Sequence, residues 1–137
     1  MKSRRKAREL AMQVLYRKEM GVQAEKEILY ELFSSNFYSK EIQEFVRALV
    51  EKTLTNIREI DRLISNNAKN WKIARMATID KNILRLAICE LLYFSEIPPK
   101  ASIDEAIELA KKYSTPESGK FVNGILDSIM KTYRKEN

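Results

Sequence analysis

Apolar residues recur every three or four positions along almost the whole chain, and nowhere do they alternate singly over the length of a half-buried strand. That periodicity restricts the chain to helices that each bury one face. The first predicted helix runs from about Ser3, a candidate N-cap, to Met20, with Ala7, Leu10, Ala11, Val14 and Leu15 on its apolar side and Gly21 placed to end it. A short second helix covers about Ala24 to Phe33. A third starts behind Ser39 and fades near Leu54, and a fourth takes its stripe from Ile57, Ile60, Leu63 and Ile64. The fifth, capped by Thr78 and reaching about residue 94, is apolar round most of its circumference, which assigns it to the middle of a bundle. After an extended Pro98-Pro99 connector, Ser102 and Glu105 form a capping box at the head of the sixth helix. Thr115 and Pro116 supply the cap and first residue of a seventh that runs to about Tyr133. The expected fold is all-α, a single compact bundle of about seven helices forming one domain over residues 1–137.

Residue types the chain lacks exclude whole classes of chemistry. It has no histidine, which removes His-based triads and His metal sites. Its one cysteine, Cys89, forms no intrachain disulfide or multi-cysteine zinc site and reads as a core residue. Gly21, Gly119 and Gly124 stand apart, so no phosphate-cradling loop is assembled locally. No cofactor and no metal is expected, and carboxylate catalysis stays open although no distinctive pair of acids suggests it. Charges break every apolar run short of the roughly 18 residues of a membrane span, and Met1 to Arg8 lacks an apolar secretory segment. The expected location is the cytoplasm, without a membrane partner. Within the last helix, glycine at 124 is costly and implies either a closely packed neighbouring helix or close approach of the helix backbone to a nucleic acid. Trp71 and Tyr16 are each readable as core anchors or as exposed contacts.

The positive charge is local. Of the formal +6, all resides in residues 1–18, where seven basic side chains face one acid, Glu9; the remaining 119 residues carry 18 of each sign. Lys2, Arg4, Arg5, Lys6 and Arg8 lead directly into the apolar stripe of the first helix, so the cations are mounted on an ordered element. Phosphate contacts made from a helix cost less conformational entropy than contacts made from a loose tail, and arginine adds bidentate recognition. Nucleic-acid contact is one reading of this segment. A solvated basic terminus and a transit peptide are the others, although the apolar face continues unbroken to Tyr16 as if built to pack.

Four stretches occurring in order carry a family resemblance. They are Arg5-Lys6-Ala7-Arg8-Glu9-Leu10-Ala11 with Leu15-Tyr16; Ile79-Asp80 with Ile83-Leu84-Arg85-Leu86-Ala87 and Glu90-Leu91; Ile97-Pro98 with residues 103–113; and Ser118 with Phe121-Val122-Asn123-Gly124-Ile125-Leu126-Asp127. Together they resemble the NusB (N-utilisation substance B) family of transcription antitermination factors. The resemblance implies a non-enzymatic protein that binds single-stranded boxA RNA of ribosomal RNA transcripts. Its partner would be a small-subunit ribosomal protein acting as Nus factor E, and the pair would join the RNA polymerase antitermination complex. A homodimer is a further expectation, since some members pair with themselves.

Carried onto this chain, the RNA-binding residues would be Arg4, Arg5, Lys6, Arg8, Lys120 and Phe121. Glu117 would tune RNA affinity and Asp80 would contact the protein partner. Glu117 and Asp80 are also the first-turn acids that a helix dipole favours, and Phe121 lies at the edge of a buried stripe. Two other functions fit the pattern: an RNA-binding accessory domain of the kind attached to ribosomal RNA methyltransferases, and a purely protein-binding helical scaffold.

Overall fold

The computed structural model describes residues 2–69 and 72–133, with side chains from Arg4 onward; Trp71 lies outside the described residues. The helices in chain order are α1 (Lys2–Met20), α2 (Glu25–Ser35), α3 (Lys40–Thr55), α4 (Ile57–Asn67), α5 (Thr78–Tyr93), α6 (Pro99–Tyr113) and α7 (Pro116–Tyr133), with a 3-10 turn at Ile73–Arg75. Among the described residues there is no strand, as the unbroken helical periodicity predicts. None of their helices is long and apolar enough to cross a membrane.

Helix α5 is the axis of the fold. Ile83, Leu84, Leu86, Ala87, Ile88 and Leu91 point in different directions around it and all are buried, a demand that only neighbours on several sides can meet. Helices α1, α3, α4, α6 and α7 all pack on it. α2 adds Ile28 and Leu29 to the same core through its contact with α1. Cys89 is buried here, and desolvation pushes its thiol up to about 11, consistent with an inert core residue.

Two predicted caps form as expected. Ser39 Oγ accepts from the Ile42 N–H at 3.2 Å, and Thr115 Oγ1 accepts from the Ser118 N–H at 3.1 Å ahead of Pro116. Others do not. α1 begins at Lys2, ahead of Ser3, and Thr78 is the first residue of α5, with Ala77 in the cap position. The capping box read at Ser102 and Glu105 is absent because α6 starts earlier, at Pro99, whose fixed φ suits a first helical turn. Ser102 instead donates to Glu90 at 2.7 Å, and Glu105 receives Arg5.

The packing role expected of Gly124 belongs to Gly119. A Cβ at Gly119 would lie 3.3 Å from Lys111 Cγ, where α7 crosses α6, whereas a Cβ at Gly124 would meet nothing within 4 Å. Gly124 is exposed.

Candidate nucleic-acid interface

The first turns of α1 lie against α3 and α6, and this determines what each cation does. Arg4 is half-buried, with its guanidinium 4.8 Å from the centre of the Phe45 ring of α3, which itself meets Phe94 edge-on at 5.8 Å. Arg5 places a fork on Glu105 of α6, Nε at 2.9 Å and Nη2 at 2.7 Å, while its side chain keeps 62% of its exposure. Those hydrogen bonds hold the Glu105 carboxyl below the usual carboxylate range. Lys6 is exposed and 3.8 Å from Glu9, which also accepts from Lys112 at 2.6 Å. That hydrogen bond raises the Lys112 pKa.

Arg8 departs from the expectation of a displayed cation. Its side chain is 7% exposed and forks onto Glu90 of α5, with both bonds at 2.8 Å. Ser102 supplies a further donor to Glu90 Oε1. The reason is geometric: Arg8 stands three, four and seven residues before Ala11, Met12 and Leu15, all buried, so it shares their face. A charge on that face is stable only when paired and hydrogen-bonded, which Glu90 and Ser102 provide. Meeting a phosphate would require Arg8 to abandon both. Arg4, Arg5 and Arg8 line a cleft of about 840 Å³ together with Phe45, Ile97 and Pro98.

The second group of predicted residues assembles where the heads of α5 and α7 meet. Asp80, Glu117 and Phe121 line a pocket of about 310 Å³ together with Met76, Ala77 and Ser118. Asp80 is only 8% exposed; its Oδ2 accepts from Ser118 Oγ at 2.9 Å, and Oδ1 has no hydrogen-bond partner among the described residues. Ser118 Oγ also lies 2.9 Å from Ser114 Oγ and 3.1 Å from Thr115 Oγ1, tying the α6–α7 turn to the start of α5. Phe121 is half-buried, with one side on the core, while Glu117 and Lys120 are exposed.

Arg8 marks the level of Glu90 on α5, and Asp80 lies ten residues earlier, so the two groups are separated by about 15 Å at a rise of 1.5 Å per residue. Lys112, at the end of α6 and 61% exposed, was not singled out from sequence, because only the folded chain sets Glu9 beside it. Arg8 likewise reads from sequence as one more cation of the basic start, and only the folded chain sets Glu90 of α5 against it.

An all-α bundle around one buried axis, with a cationic helix start and an aromatic, acid-lined pocket on its surface, defines the class of protein. Residues 5–131 match the NusB family, and the chain belongs to it. The transcription antitermination protein NusB of Chloroherpeton thalassium is 49% identical over 130 residues, covering 92% of this chain and 60% of that relative. The NusB of Salinibacter ruber is 45% identical over 131 residues, covering 95% of this chain and 82% of its own length. A crystal structure of antitermination factors NusB and NusE in complex with dsRNA superposes with a TM-score of 0.88 at 33% identity, over 97% of this chain and 99% of that one.

Proposed function

We propose that this chain is a transcription antitermination factor that binds boxA RNA of ribosomal RNA transcripts together with NusE, a small-subunit ribosomal protein, and tethers that RNA to elongating RNA polymerase. It makes and breaks no bond, acts as one helical RNA-binding domain, and works in the cytoplasm where transcripts are made. The observation that carries the reading is the mounting of Arg4, Arg5 and Lys6 on the ordered start of α1, in a chain that matches the NusB family from residue 5 to residue 131.

The division of labour follows from the surroundings of each side chain. Arg4, Arg5 and Lys6 meet phosphates; Arg5 needs only to share its exposed guanidinium with Glu105, and Arg8 holds α1 in place from below. Phe121 stacks on an unpaired base, which a single strand offers and a closed duplex does not, while Lys120 takes the adjoining phosphate. Glu117, exposed beside them, opposes phosphate and moderates affinity. Asp80 is reached only through its pocket, so NusE would contact it by inserting a donor there.

The test is equilibrium binding of boxA-containing single-stranded RNA, a scrambled strand and the duplexed form, each with and without NusE. The expected result is preference for the boxA strand, strengthened by NusE, with log affinity falling linearly in log salt. A protein-binding scaffold would give no saturable RNA binding, and that outcome would overturn the proposal.

A further inference from the structure

The middle of α7 contains a residue that the fold does not explain. Glycine is the poorest helix former after proline, and Gly124 lies well inside Pro116–Tyr133. Gly119 has an internal reason, since Lys111 crowds the place of its Cβ, but Gly124 is exposed and its missing Cβ would touch nothing. The room kept free at Gly124 therefore lies outside the protein.

Helical geometry identifies what borders that room. Gly124 follows Phe121 by three residues, Lys120 by four and Glu117 by seven, so all four share the outer face of α7. A Cα–Cβ bond in an α-helix leans toward the N-terminus, so any side chain at 124 would project over Phe121 and Lys120. Glycine leaves bare backbone immediately beside the half-buried Phe121 ring and an exposed ammonium; among the described residues Lys120 enters no ion pair. A flat base on the ring with its phosphate on Lys120 is the occupant whose shape and charge match.

We propose that Gly124 is an RNA-binding residue in its own right, allowing the strand held by Phe121 and Lys120 to lie directly on the backbone of α7. This rests on the RNA-binding reading above and assigns to that site a steric requirement for the absence of a side chain.

The proposal predicts opposite signs for two measurements on one variant. Gly124→Ala should raise the melting temperature by about 2–5 °C, because alanine restricts the unfolded chain and favours helix. The same change should weaken binding of boxA-containing single-stranded RNA by about fivefold or more, a good part of one stacking contact. Gly124→Gln should weaken it further, and Ser65→Ala on the exposed side of α4 should leave it unchanged. A higher melting temperature with unaltered RNA affinity in both Gly124 variants would overturn the inference, as would a lower melting temperature, which would signal internal packing. Weakened capture of NusE with unchanged RNA affinity would also overturn it, giving the surface to the protein partner. If the parent chain itself binds no RNA, the functional reading fails first and this inference with it; if the parent binds and the variants bind equally, only this inference fails.

Discussion

The start of α1 and the head of α7 both carry charge at the surface, but they spend it differently. At α1, Arg5, Lys6 and Arg8 each face an acid, and two of those acids come from other helices. At the head of α7, Lys120 has no ion pair, and Asp80 on the adjoining start of α5 keeps a buried oxygen without a donor, both among the described residues. The contrast separates charge that builds the fold from charge that remains available to a ligand. For the cations, burial decides the two extremes, Arg8 and Lys120. A guanidinium that has lost its water must be answered inside the protein, whereas an exposed ammonium is answered by solvent until a phosphate arrives.

The sharpest way to break that contrast is to exchange its two extremes. Arg8→Ala leaves Glu90 buried and uncompensated and should cost about 3–5 kcal/mol of stability by chemical denaturation. Arg4→Ala, by comparison, should change stability little. If Arg8→Ala unfolds no more easily than Arg4→Ala, the division between structural and available cations is wrong.

Phe121→Ala should weaken boxA RNA binding by about 1–3 kcal/mol, measured by titration at fixed salt. A loss of stability without loss of affinity would assign the ring entirely to the core. Lys120→Gln should weaken binding of all sequences alike and reduce the slope of log affinity against log salt by about one, the release of one phosphate contact. An unchanged slope would remove Lys120 from the interface.

The smallest effect concerns pH. Glu105 is held below its ordinary value of 4.5, chiefly by the Arg5 hydrogen bonds. In Glu19, burial works against the charged form, but hydrogen bonds from Lys81 and Asn82 prevail and its pKa is also lowered. Folded pKa values below the unfolded value mean that both groups stabilise the protein above about 4.5 and lose that contribution as pH falls through their folded values. Melting temperature should therefore drop on acidification below that point, and Glu105→Gln should flatten part of the drop.

Much of this was legible beforehand because helices report themselves locally. The apolar spacing placed the seven helices of the described residues, and Ser39 and Thr115 marked the starts of α3 and α7 through chemistry confined to three or four residues. Errors arose where a residue has a choice between local and distant partners. Ser102 and Glu105 have the right spacing for a capping box, yet Glu90 and Arg5 claim them. Glu117 and Phe121 are read together at the head of the last helix and Asp80 apart from them, and the meeting of all three in one pocket depends on the heads of α5 and α7 being brought side by side.

By itself the sequence determined helix positions, the central place of α5, the concentration of charge at one end and membership of a recognisable family, since each is written in spacing or residue order. Only the tertiary structure decided that Arg8 is a buried strut, that Gly119 and not Gly124 is the packing glycine, and that Asp80, with one oxygen lacking a partner among the described residues, lines the same pocket as Phe121. These depend on which atoms from distant helices share a volume, and a carboxylate or a missing methyl acquires its meaning only from what stands within a few ångströms of it.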